Sequence, residues 1–278
     1  MPVRVILLCC AAYLFGAPSQ LLAADVIPRQ QHPWGHFAPG SWKKISVVTQ
    51  TIDPQGQVAG ASVTQTKTTL DKVDDDGVTL RIETSVEVGG KRFDTPVQVV
   101  RQGYPGQLQG QPIELKSLDP EAVTIEGKQI RCQVWQVKSD NADGKRLTKL
   151  FYSGATAPYV LRRETKLSDA ANPQITFDTT VEVLALDMPY RVLDEMHTVA
   201  YEKTTAKNAK STTTTVAVIS PDIPGGVVGQ TSKEVDASGR LLTRSTLELA
   251  EYHVAGDDNH PAQIRYRRLR RERLRNRE

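Results

Sequence analysis

The chain has 278 residues, of which 24% are charged, and a formal net charge of +3. That length suits one large domain or two small ones and can bury a substantial core. Residues 264–278 hold eight arginines and two glutamates, which is +6, so the remainder is −3 and offers no basis for nucleic-acid binding.

The N-terminus carries one positive charge at Arg4, a short apolar run from Val5 to Phe15, and then small and polar residues ending in Leu22-Ala23-Ala24-Asp25. This is the pattern of a secretory signal, with cleavage expected after Ala24 or Ala23. The apolar run falls short of the roughly 20 residues a membrane span needs, and no later segment reaches that length. The mature part is therefore expected to be exported to the periplasm or cell envelope, or otherwise secreted, as a soluble or peripheral protein. Export removes Cys9 and Cys10 and leaves Cys132 alone, which rules out an internal disulfide in the mature chain.

Residues 25–40 contain Pro28, Pro33, Pro39, Gly35 and Gly40 and read as an irregular arm. From Ser41 the chain alternates apolar and polar residues, and the turn Asp53-Pro54-Gln55-Gly56 leads to a Thr- and Val-rich run from Val58. Such residues suit a pleated strand. A pattern then recurs three times: a Thr/Ser-Lys strand, an Asp-led turn, and a strand ending Thr84-Ser85-Val86-Glu87-Val88, Thr179-Thr180-Val181-Glu182-Val183 or Ser245-Thr246-Leu247-Glu248-Leu249. The last two copies extend back with an offset of about 66 residues, Trp135 matching Tyr201. This predicts an all-β fold with minor helix, a large curved antiparallel sheet or half-barrel built from repeated β-meanders. The domain would span 41–255, in units of about 41–118, 119–188 and 189–255, followed by a basic tail over 256–278. Aliphatic residues of the repeated segments should share one face and the glutamates the other, wet one. Single helical turns are expected at 119–123 and around Pro189 to Met196, and a polar hairpin loop at 203–210.

Few residues suggest chemistry. His32 and His36 have the spacing of a metal pair on a helix, but Pro33 and Gly35 forbid that helix, so both read as solvated arm histidines. His197, His253 and His260 stand singly. The Asp74-Asp75-Asp76-Gly77 and Asp257-Asp258-Asn259 clusters lack the spacing of a calcium loop and read as exposed turns. No phosphate loop, dinucleotide fingerprint or Gly-x-Ser-x-Gly elbow is present. Cys132 sits on an alternating strand, where a thiol acts as a small hydrophobe. The expectation is a non-enzyme without cofactor or metal.

The segment Gly127-Lys128-Gln129-Ile130-Arg131-Cys132-Gln133-Val134-Trp135, followed by Lys149-Leu150-Phe151-Tyr152-Ser153 and Ala157-Pro158-Tyr159-Val160-Leu161, resembles the strands of the bacterial envelope lipoprotein-carrier superfamily. That resemblance implies a large curved sheet and an apolar or lipid ligand on its concave face. The aromatic residues Trp42, Trp135, Tyr152, Tyr159 and Tyr201 are the candidates for lining such a groove. The tail offers Arg265, Arg267, Arg268, Arg270, Arg271 and Arg273 to an anionic membrane surface or an acidic envelope partner. The expected function is a non-catalytic exported scaffold for an apolar ligand; the alternative is a structural envelope protein docked through its tail.

Overall fold

The computed structural model describes residues 27–104, 113–141, 144–168 and 175–256. Within them lie one short 3-10 turn, Arg29–Gln31, and fourteen strands: β1 (Trp42–Ile52), β2 (Val58–Asp74), β3 (Gly77–Val88), β4 (Lys91–Asp94), β5 (Gln98–Gly103), β6 (Ile113–Ile125), β7 (Lys128–Asn141), β8 (Gly144–Tyr152), β9 (Val160–Ser168), β10 (Ile175–Val192), β11 (Glu195–Asn208), β12 (Ser211–Ile219), β13 (Val227–Asp236) and β14 (Leu241–His253). All belong to one antiparallel sheet in the order β4-β3-β2-β1-β14-β13-β12-β11-β10-β9-β8-β7-β6, with β5 also on β3, and the sheet does not close into a barrel. Two meanders are thus joined where β1 lies beside β14.

Local chemistry explains the hairpins. The carboxylate of Asp53 accepts the N–H groups of Gln55 and Gln57, that of Asp74 accepts Asp76 and Gly77, and that of Asp236 accepts Ser238 and Arg240. Each aspartate closes its turn from the side chain, as short polar residues do at reversals. Three sequence expectations fail here. Residues 119–123 are extended in β6, where a register shift between Leu118 and Glu121 absorbs Pro120. Pro189 to Val192 likewise continue β10, and only Leu193 and Asp194 turn. In both places a long partner strand supplies the ladder, and pairing overrides the local helix signal. The polar run 203–210 is also mostly strand, β11 continuing to Asn208.

The sheet curls so that distant strands share a core. Leu70, Val78 and Leu80 of β2 and β3 pack in one cluster with Val137 and Leu150 of β7 and β8, together with Ile27, Trp34 and Phe37 from the arm. The face carrying these residues is therefore the interior. Along the pairing register the same face carries a row of hydroxyls, Ser62-Thr49-Ser245-Ser232-Thr215-Thr204, on six adjacent strands from β2 to β11. The row runs on through Val181 and Arg163 to Leu150 and Trp135. A second row follows one pleat along: Thr51, Thr243, Glu234, Thr213, Ala206, Thr179, Thr165 and Thr148. Two neighbouring pairs bond to one another, Thr215 donating to Ser232 at 3.0 Å and the Thr148 and Thr165 oxygens lying 3.2 Å apart, while the buried Thr179 hydroxyl has no partner. The interior is oily only at the arm end and hydroxyl-lined elsewhere. The alternation in the sequence was read as simply apolar against polar, which is too coarse. Glu87, Glu182 and Glu248 do point to the other face and stand apart on β3, β10 and β14, Glu182 pairing with Lys203 at 3.3 Å.

Candidate functional site

One end of the sheet's interior is occupied by the arm, and the site forms where the arm meets two loops. These are the β8–β9 connection, residues 153–159, and the β12–β13 connection, residues 220–226. Both begin with a buried serine and are closed alike, Ser153 N–H donating to the Tyr159 carbonyl and Ser220 N–H to Gly226, each at 2.8 Å. Proline and glycine make the arm irregular, as its sequence indicates, yet it is firmly placed. Gly225 N–H donates to the Pro33 carbonyl at 2.9 Å and Gly40 N–H to that of Leu70 at 2.8 Å. The Trp34 indole lies flat enough against Gly225 that a Cβ there would stand 2.7 Å from ring atoms, and Gly225 has φ +72°. Gly225→Ala is expected to cost about 3 kcal/mol from overlap and left-handed backbone together. Urea denaturation reads it, and a midpoint equal to the parent's would contradict this packing.

Lys43 is buried at the same junction, donating to the carbonyls of Gly225 and Val227 at 3.2 and 3.1 Å. Burial lowers its pKa to about 8. The Tyr152 hydroxyl donates to the Gln31 side-chain oxygen. His32 is 5% exposed; its Nδ1 accepts the Trp34 N–H at 3.2 Å and its ring meets Tyr104 edge-on. Burial lowers its pKa to about 4, helped by the nearby His36 and Arg163. The two nitrogens of His36 each lie 3.0 Å from a carbonyl oxygen, of His32 and Pro221. His32 is thus a buried structural contact, whereas His36 is exposed, as the sequence suggested. For His32 solvation was the wrong expectation because the irregular arm fills one end of the curl of the sheet, which a local reading cannot show.

Between arm, loops and sheet lies a cavity of about 290 Å³. Its apolar wall includes Ile27, Tyr104, Pro158, Tyr159, Val160 and Ile219. Its polar wall includes His32, Ser220, Arg163 and Glu202, with Gln31, His36 and Gln102 also lining it. Ser220 is fully buried and its hydroxyl has no partner. Arg163 and Glu202 sit on β9 and β11 with β10 between them. Desolvation lowers the Arg163 pKa and raises that of Glu202, while each partly offsets the shift of the other.

The five aromatic candidates do not form one groove. Tyr159 lines the cavity, and Trp135 and Tyr152 pack against the arm-end core beside it. Tyr201 shares a face with Val218, Gly229 and Glu248, opposite Glu202, and lines a separate depression beneath the tip of the β10–β11 hairpin. Trp42 lies in an open, charged depression with Lys67, 4.7 Å from its ring, and Glu83. Strand parity divides the aromatics between the two faces. Arg163, Glu202 and Ser220 were missed, and His32 was read as solvated; Arg163 follows closely on the Ala157 to Leu161 segment, but only the sheet register shows that it faces inward. Cys132 is 1% exposed among Val134, Phe151 and Leu161, and desolvation raises its pKa, as a core thiol requires. His197 lies 3.5 Å from Asp222 and the His253 ring 6.3 Å from that of Trp42. The tail arginines, His260 and the signal segment lie outside the described residues.

The architecture defines a class: an all-antiparallel open sheet, curled around its own N-terminal arm. Two solved structures are similar to this chain. One is from Bacteroides fragilis, described as an exported protein with a YmcC-like fold, at 11% identity and a TM-score of 0.30, covering 77% of this chain and 99% of its own. The other is from Parabacteroides distasonis, described as a lipoprotein, at 13% identity and a TM-score of 0.31, covering 78% and 96%. No family model and no curated protein matches the chain.

Proposed function

We propose that the protein is an exported, non-catalytic scaffold of the cell envelope that holds a small molecule with an apolar part between its arm and the interior of the sheet. The observation that carries this reading is the cavity itself: a partly open concavity, mainly apolar in lining, and furnished with a few converging polar groups, which is how ligand sites are built. Its volume of about 290 Å³ is at the small end for ligand pockets. It suits a compact molecule or one short chain rather than a whole diacyl lipid. The signal-like N-terminus supports export, and the shielding of Cys132 argues against thiol chemistry.

Organic-solvent extraction of the purified protein followed by mass spectrometry tests the reading. A stoichiometric apolar compound is expected, or uptake of the neutral probe N-phenyl-1-naphthylamine by emptied protein. Ala157→Trp, which fills the cavity from the β8–β9 loop, should abolish both while leaving the fold intact by circular dichroism. The +6 charge of residues 264–278 favours the second reading, docking to an anionic envelope surface. No extractable compound, no probe uptake, and vesicle binding lost on removing the tail would select it.

A further inference from the structure

The most unusual feature of the cavity is its pair of opposite charges that do not meet. Arg163 and Glu202 both line it. Their backbones are two strand spacings apart, about 9.6 Å in the pairing direction, and two residues offset along the strands, since Arg163 is in register with Val181 and Thr204. Among the described residues neither side chain makes a hydrogen bond or a direct ion pair; they act on one another only through the intervening field. Half-buried charges without direct partners are costly. A ligand carrying both signs would satisfy each of them. Independently, Ser220 is fully buried, and its hydroxyl, on the same cavity wall, has no partner. The remaining wall is mainly apolar, with Tyr104, Pro158, Tyr159 and Val160 among others, and also carries the neutral polar side chains of Gln31 and Gln102 and the histidines His32 and His36.

We infer that the cavity takes a zwitterion with an apolar substituent: the ligand's anionic oxygens on Arg163, its ammonium on Glu202, and Ser220 completing the hydrogen bonds. The inference rests on the cavity being a binding site and names the chemical class of its ligand. A guanidinium holds a carboxylate or phosphate through paired N–H groups, and a carboxylate accepts readily from an ammonium. Two sources share this chemistry, a free apolar amino acid and the headgroup of a single-chain ethanolamine phospholipid.

Isothermal titration calorimetry of the full purified protein separates the outcomes. The probes are L-phenylalanine, L-leucine and lysophosphatidylethanolamine, with 3-phenylpropionate and 2-phenylethylamine as analogues lacking one charge each. At least one zwitterion should bind about tenfold tighter than both single-charge analogues, because each analogue strands one protein charge. Preference for the amino acids identifies a small free ligand; preference for the lysolipid identifies a headgroup. Glu202→Gln should bring 3-phenylpropionate level with L-phenylalanine, and Arg163→Gln should do the same for 2-phenylethylamine. A merely structural role cannot produce that crossed change of preference. If N-phenyl-1-naphthylamine binds but no zwitterion outdoes its single-charge analogues, the zwitterion inference falls and the apolar site stands. If the probe fails as well, the cavity reading falls with it.

Discussion

Trp34→Ala is expected to lower the unfolding free energy by about 3–5 kcal/mol, the usual cost of emptying a buried aromatic position. Trp34 is 7% exposed and is the largest apolar group the arm contributes to the shared core. It stands at the contact between arm and β12–β13 loop, against Gly225, with the Lys43 ammonium 6.0 Å from its ring. No helix and no second sheet among the described residues covers the arm end of the curl, so the arm must close it. Removing the indole opens a void, loosens the clamp on Gly225 and leaves Lys43 with less packing. Trp34→Phe keeps part of the fill and should lose about half as much. Urea denaturation followed by far-ultraviolet circular dichroism measures both; a loss below about 1 kcal/mol for the alanine variant would show the arm to be peripheral.

The protein is also expected to weaken in mild acid through His32. The folded-state pKa is about 4 against an ordinary value of 6.5, because burial disfavours the imidazolium and the charges of His36 and Arg163 oppose it further. Between those two values the unfolded chain binds the proton and the folded chain does not, so stability rises with pH across this window. The contribution is intact above about pH 6.5 and is lost progressively down to about pH 4, the full loss being about 3 kcal/mol. His32→Gln retains an acceptor for the Trp34 N–H but cannot titrate. The difference in unfolding free energy between parent and variant, followed from pH 7.5 to 4, should shift by that amount. Parallel curves for the two proteins would remove His32 as the origin.

The fold was legible because its signals are local and repeated. Thr/Val-rich alternation, Asp-led turns and the absence of helical periodicity specify antiparallel hairpins, and Asp53, Asp74 and Asp236 do stand at reversals, while the turn at Asp169 lies outside the described residues. What stayed hidden is set by long-range register. Arg163 and Glu202 are separated by a whole strand, and nothing near either residue shows that both face inward. Tyr201 and Glu202 are neighbours in the chain, yet one is on each side of the sheet. His32 looked solvated because prolines and glycines usually mark surface loops. Here the irregular segment is the filling of the curl. The hydroxyl rows were readable as composition, since threonine is abundant in the strands. Their alignment across six adjacent strands emerges only from the pairing.

The neighbouring placement of β1 and β14 has a consequence for how the molecule is made. Thr49 meets Ser245 across that seam, so the joint between the two meanders waits until the chain has been made through β14. A truncated product ending before residue 241 would expose two unpaired strand margins, β1 and β13, of the kind that recruit other chains into aggregates. Contacts so distant in sequence also slow folding.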